Sequence, residues 1–156
     1  MEKYDTYDRH ILSELQRNGR ITISELAERV FLSTSATQKR LRRLEVSGAI
    51  TEYRAVVAPD AVDQGFLVYV QVKLGDTTRA ALDRFNAAIE GVPNILACHM
   101  LTAGFDYLLK VRARDMHAFT ELHGDIISAL PGVQQTFSYP VMKEVKDTTA
   151  LPVSLE

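Results

Sequence analysis

The sequence predicts an α+β chain in two parts. Two observations predict it. Up to about residue 58 the apolar residues recur at helical spacing, in three short runs separated by tight turn signals. From residue 66 onward, runs alternating with period two are interleaved with runs of helical period, in the order βαββαβ. Composition allows this. The 156 residues fit one or two domains, and 46% hydrophobic with 24% charged residues is ordinary for a globular protein.

The first helix is capped by Asp5 or Thr6 and runs to about Arg17, with Tyr7, Ile11, Leu12 and Leu15 on one side and Asn18-Gly19 as its stop. Thr22-Ile23-Ser24-Glu25 is a capping-box pattern, in which the Thr and Glu side chains satisfy each other's backbone amides. It opens a short helix to about Val30, with Ile23, Leu26, Ala27 and Val30 inward. Phe31-Leu32 makes a turn. Ser33 then caps a third helix that ends at Gly48, a residue suited to the left-handed position after a last turn. Thr37, Leu41 and Leu44 form its buried stripe. At roughly 100° per residue, Ser35, Lys39 and Arg42 point the opposite way, and Gln38, Arg40 and Arg43 lie on the flanks.

Two short helices joined by a tight turn, the second basic outside, form a helix-turn-helix. Residues 49–57 have strand character, so a hairpin after the third helix would make it winged, with Arg54 in reach of a phosphate. A donor-rich basic face suits phosphate neutralisation and major-groove readout. The candidate DNA contacts are therefore Ser33, Ser35, Gln38, Lys39, Arg40, Arg42, Arg43 and Arg54. Three helices at this spacing also suit a plain protein-interaction module. Charge favours DNA: residues 1–55 hold ten Lys/Arg against eight Asp/Glu, whereas the remainder holds eight against twelve.

Residues 59–65, opening on Pro59-Asp60, read as a linker between a domain at 1–58 and one at 66–156. Phe66 to Leu74 alternates Phe66, Val68, Val70, Val72 and Leu74 against Leu67, Tyr69, Gln71 and Lys73, a half-buried strand. Ala81, Leu82, Phe85, Ala88 and Ile89 then share a helix face that Gly91-Val92-Pro93 stops. Ile95 to Leu101 and Tyr107 to Val111 are strands of a hairpin turning at 102–106. Asp115 caps a helix with Met116, Phe119, Leu122, Ile126 and Leu130 on one side, Pro131-Gly132 ends it, and Val133 to Val141 is the fourth strand. This is the ferredoxin-like arrangement. Its two helices cover one sheet face, and a second subunit is the simplest cover for the other.

Little here suggests catalysis, so no enzyme activity, metal or cofactor is expected. Cys98 and His99 are neighbours on a strand, so their side chains point to opposite faces. His117 and His123 are six apart, which suits neither i,i+3 nor i,i+4 chelation, even with Asp125 nearby. Gly104 has no companion glycine for a phosphate loop. One cysteine excludes an internal disulfide framework. There is no apolar run of about 18 residues, hence no transmembrane helix, and Met1 to Asp5 lacks a signal-peptide core. A cytoplasmic location is the expectation.

Fragments along nearly the whole chain resemble the leucine-responsive/asparagine-responsive (Lrp/AsnC, feast-famine) transcription regulators. They are Asp8-Arg9-x-Ile11-Leu12-x-x-Leu15-Gln16, Gly19-Arg20-Ile21, Glu25-Leu26-Ala27-x-Arg29-Val30 and Arg40-Leu41-x-Arg43-Leu44-Glu45-x-x-Gly48-x-Ile50. In the second part they are Cys98-His99, Gly104-x-x-Asp106-Tyr107-Leu108-Leu109-Lys110, Leu130-Pro131-Gly132-Val133, Thr136 and Val141-Met142-x-Glu144-Val145-Lys146. The resemblance implies dimers that assemble into rings, often octamers, with amino-acid effectors bound between dimers. It also implies effector contacts at Thr102, Gly104, Asp106 and Tyr107, with Thr136 and Ser138 from a neighbouring subunit. Gly104 permits close backbone approach, Asp106 can accept from an ammonium, and Thr136 and Ser138 share one strand face. The chain departs from the family pattern at Phe31 in place of the turn Gly, at Thr37, and at Glu52 in the wing. Two other functions compete: a tetrapyrrole (siroheme) decarboxylase of the same build using His99, and an oligomeric interaction module that binds no DNA.

Overall fold

A computed structural model describes residues 4–102 and 104–155. Met1 to Lys3, part of the stretch read for a signal peptide, and Ala103, inside the expected hairpin turn, lie outside the described residues. The chain divides into two compact units. One ends at Val56 and takes in the C-terminal stretch from Lys146; the other is Val57–Val145.

The first unit has three helices, α1 (Thr6–Arg17), α2 (Ile23–Arg29) and α3 (Thr34–Val46). Each starts where the sequence offers a side-chain oxygen to its first turn: Asp5 accepts from the Asp8 amide, Thr22 from Glu25 and Ser33 from Ala36. Asp5 with Asp8, and Thr22 with Glu25, form reciprocal capping boxes. Ile11, Leu26, Val30 and Leu44 are the buried core, with Leu12, Leu15, Ile21, Leu32 and Leu41 packed around it. Tyr7, expected on the inner side of α1, is 44% exposed, and the Arg40 guanidinium lies 5.3 Å from its ring centroid.

The turn between α2 and α3 keeps the left-handed backbone usual for glycine, with Phe31 in it at φ 57°. Its amide donates to Glu28 and that of Leu32 to Ala27, which returns Leu32 to the core. Phe31 gains no packing in exchange, because 85% of it is exposed. Gly48 also has positive φ, in open space.

The expected hairpin of the wing is not formed. Residues 51–58 run without a strand ladder, and Val56 is 93% exposed. A strand needs a partner, and nothing in this short stretch folds back to supply one. Tyr53 ties it to α3, donating to Glu45 at 2.9 Å. The C-terminal stretch, placed with the second domain at 66–156, instead packs along α1. Gln16 donates to the Leu151 carbonyl at 3.0 Å and accepts from the Leu151 amide at 2.6 Å.

The second unit is a four-stranded antiparallel sheet of order β2-β3-β1-β4, with β1 (Phe66–Leu74), β2 (Ile95–Met100), β3 (Tyr107–Ala113) and β4 (Val133–Pro140). Helices α4 (Arg79–Glu90) and α5 (Met116–Leu122) complete the ferredoxin-like order. The alternation of β1 is kept: Val68, Val70 and Val72 are fully buried with Phe85, Leu109, Val111 and Ile127. On the other face Tyr69, Gln71, Phe137, Tyr139 and His99 are wholly or partly exposed.

The last helix departs from a uniform period. After Leu122 it widens into a π turn, His123–Ile127, in which the Ser128 amide donates to the His123 carbonyl at 2.9 Å. One extra residue in that turn rotates everything after it. Ile127 is therefore fully buried while Ile126, expected inward, is 40% exposed. Met116, also expected inward, is half exposed at the helix start.

Candidate DNA-binding face and effector site

Helix α3 sorts its cations into two sets. Toward α1, Arg40 donates to both carboxylate oxygens of Asp5, at 2.8 and 2.7 Å, and to Asp8 at 2.9 Å. Arg43 pairs with the other oxygen of Asp8. The Asp8 carboxylate is 1% exposed, so these cations balance a buried charge. Asp5 is held below the usual carboxylate range, first by the Asp8 amide and then by Arg40, while hydrogen bonding to Asp5 raises Arg40 further. Arg40 and Arg43 thus clamp α1 to α3, Arg40 with a quarter of its side chain exposed and Arg43 with 56%. The sequence alone places Asp5 at the cap of the first helix but does not pair Asp5 and Asp8 with Arg40 and Arg43. The available signal was two acids three apart at a helix start, facing two arginines three apart.

Outward, Ser35, Gln38, Lys39 and Arg42 are exposed, and among the described residues neither Lys39 nor Arg42 has an ion-pair partner. Ser33 is exposed too, with its hydroxyl engaged as the cap of α3 and lying 3.3 Å from the Ser35 hydroxyl. Thr37 is fully buried and donates to the Ser33 carbonyl at 3.0 Å, which satisfies its hydroxyl. Arg54 lies in the extended stretch after the helix, in an exposed pair with Glu52 at 3.4 Å.

In the second unit the expected effector residues form two groups. Thr102, Gly104, Asp106 and Tyr107 cluster at the β2–β3 hairpin. One Asp106 oxygen accepts from the Leu74 amide at 2.7 Å and the Asp106 amide donates to Val72, so this carboxylate also pins the end of β1. Lys73 reaches the Gly104 carbonyl at 3.4 Å. Thr136 and Ser138 pair with Val72 and Val70, placing both hydroxyls on the helix-covered side of the sheet. Tyr107 also pairs with Val72, from the opposite edge of β1. Strand β1 thus separates the two groups within one chain by about two strand spacings of roughly 4.8 Å each.

Tyr107 is 2% exposed, and its hydroxyl makes no hydrogen bond of good geometry. Burial pushes it up, with the Asn86 amide opposing. It borders a cavity of about 360 Å³ lined also by Asn86, Ile89, Glu90, Cys98 and Met100. Cys98 is half-buried with its thiol pushed up by burial, and His99 is exposed on the other sheet face. The pair is split as strand geometry requires, with no shared site. Among the described residues no group of three His, Cys, Asp or Glu side chains is placed to hold a metal ion, and no helix is long and apolar enough to cross a membrane.

Comparison with known proteins shows the family. The Lrp/AsnC ligand-binding domain family matches residues 67–151, and a winged helix-turn-helix DNA-binding family matches residues 4–51. The chain is 44% identical over 141 residues to the proline dehydrogenase transcriptional activator of Rhodobacter capsulatus, covering 90% of this chain and 92% of that protein. It is 42% identical over 149 residues to the leucine-responsive regulatory protein of Escherichia coli K12, covering 96% and 91%. In structure it is similar to a transcriptional regulator from Neisseria meningitidis in complex with L-Met. The TM-score is 0.91 at 39% identity, over 96% of this chain and 97% of that one.

Proposed function

The chain belongs to the Lrp/AsnC family of effector-responsive, DNA-binding transcription regulators, and from that premise we propose which residues perform each task. The outer face of α3 enters the major groove of double-stranded DNA. Ser35, Gln38, Lys39 and Arg42 read base edges or phosphates, Ser33 caps the helix at the groove, and Arg54 takes a flanking phosphate. The observation that supports this is the sorting on α3: Arg40 and Arg43 are paired with Asp5 and Asp8, whereas Lys39 and Arg42 are exposed and have no ion-pair partner among the described residues. Arg43, 56% exposed, still borders the outer face. A homodimer presents two such helices to half-sites about one helical turn apart, and dimers assemble to an octamer in the cytoplasm.

The effector is a free amino acid. Thr102, Gly104, Asp106 and Tyr107 of one subunit hold it together with Thr136 and Ser138 of a neighbour, since one chain keeps the two groups apart. Asp106 has one oxygen to spare for the ammonium, and the cavity beside Tyr107 has room for an apolar side chain. Leucine, proline and methionine, which the relatives' names supply, are the first candidates. The assignment gives His99 no catalytic role.

Gel-shift titration of promoter fragments with the full chain, with and without each common amino acid, tests this reading. Binding should weaken steeply with salt, because counterion release dominates phosphate contacts, and one or a few amino acids should change it. Asp106→Asn keeps an acceptor for the Leu74 amide but removes the charge. It should retain DNA affinity and lose at least tenfold in effector affinity by calorimetry. No DNA binding at low salt under any of these conditions would overturn the proposal.

A further inference from the structure

The widened turn at the end of α5 builds a polar chain behind Thr136. In an α-helix, residues five apart sit about 140° from each other around the axis, at 3.6 residues per turn. The π turn closes that gap. His123 Nδ1 lies 3.3 Å from the Ser128 hydroxyl, and its Nε2 lies 2.9 Å from the Thr136 hydroxyl on β4. Phe119, 5.7 Å from the imidazole centroid, walls one side of the ring. π turns are rare and recur at functional sites. This one both buries Ile127 in the core and brings His123 against Ser128 and Thr136.

We infer that His123 is a positioning residue that fixes the Thr136 hydroxyl as a donor toward a ligand carboxylate. This rests on the reading that Thr136 contacts the effector. The 3.3 Å contact fits donation in either direction; in the inferred arrangement the exposed Ser128 hydroxyl donates to Nδ1, which leaves the proton on Nε2. Nε2–H then donates to Thr136 Oγ1, occupies one of its lone pairs, and sends the threonine proton outward. The opposite tautomer turns Thr136 lone pairs toward the ligand and repels an anion. The imidazole thus selects the charge of the group that Thr136 meets: a carboxylate is favoured over a neutral carboxamide, which has no comparable charge to receive the proton.

The test uses the full chain, the amino acid among the common twenty that most raises its melting temperature, and that amino acid's primary amide. Parent protein should bind the acid at least tenfold more tightly than the amide by calorimetry. His123→Leu and Thr136→Val should each lower affinity for the acid about tenfold and narrow that preference. The double variant should be no worse than Thr136→Val alone, as expected for residues acting through one contact. His123→Gln, whose side-chain N–H can donate to the same oxygen, should restore most of the affinity. Ser128→Ala, a substitution at an exposed site, should cost a smaller part of it.

Parent-like binding by His123→Leu, additive losses in the double variant, or no rescue by His123→Gln would overturn the inference. If Thr136→Val itself binds like the parent, or if no amino acid shifts the melting temperature, the effector reading falls and this inference falls with it. Loss in Thr136→Val beside parent-like His123→Leu removes the inference alone.

Discussion

The two sides of α3 carry the same kind of residue and do opposite work. Arg40 and Arg43 face α1 and close on Asp5 and Asp8, whereas Lys39 and Arg42, one position before each, face solvent. One step along the helix is about 100° of rotation, and that rotation separates a cation that holds the fold from one that is free to meet a phosphate. Burial is the reason. A carboxylate as enclosed as Asp8 must be paired, and pairing ties up part of the donor set that DNA would otherwise use. Basic residues on a recognition helix are therefore not interchangeable in charge counting.

The contrast can be broken most sharply at Asp8. Asp8→Asn leaves Arg40 and Arg43 without their buried counter-charge and should destabilise the first unit by about 3 kcal/mol, read by urea unfolding of the full chain. An unchanged midpoint would mean the clamp contributes nothing. On the outer side, Lys39→Ala and Arg42→Ala should each cost about 1–3 kcal/mol in operator affinity where they read a base, or flatten the salt dependence where they meet phosphate. Both should leave the unfolding midpoint within about 0.5 kcal/mol of the parent. Equal DNA affinity for both variants and the parent, at every salt concentration, would remove the outer face from the interface.

Between the two sides lies the turn that sets how α3 leaves α2. A non-glycine residue in the left-handed region costs roughly 1–2 kcal/mol. Phe31 makes no compensating burial, so Phe31→Gly should raise stability by about 1 kcal/mol after the glycine's larger unfolded-state entropy is set against the relief. A lower melting temperature would show that the exposed ring contributes contacts of its own. The smallest effect is pH. The folded-state pKa of Asp5 is depressed by the Asp8 amide and Arg40, so its contribution is present above the ordinary carboxylate value and is lost as pH falls through the depressed one. The stability difference between parent and Asp5→Asn should therefore be constant at neutral pH and shrink below about pH 4. A difference that persists at lower pH would assign the effect to the neutral cap rather than to the charge.

Several elements were legible in the sequence because their determinants are local. Thr22 with Glu25, Ser33, Asp115 and Gly48 announce helix ends by chemistry confined to a few residues. The alternation of Val68, Val70 and Val72 announces which side of β1 is buried. The outer residues of α3 follow from the same periodicity. The clamp did not, since Asp5 and Asp8 lie more than thirty positions from Arg40 and Arg43 and no local pattern couples them. Ile126 was misplaced because a fixed helical period has no room for one inserted residue in the π turn. The wing hairpin failed because strand character is a property of residues, whereas a strand exists only when a partner is present.

By itself, the sequence determined the order of elements, the helix caps, the buried faces and the family to which those fragments belong. Each depends on neighbours within a turn or two of chain, where propensity and spacing act directly. Only the tertiary structure decided how the basic residues of α3 divide their labour, how the C-terminal stretch returns to α1, and how His123 comes to stand between Ser128 and Thr136. Those depend on distant groups meeting in space, where the cost of an unpaired buried charge or polar atom selects the partner.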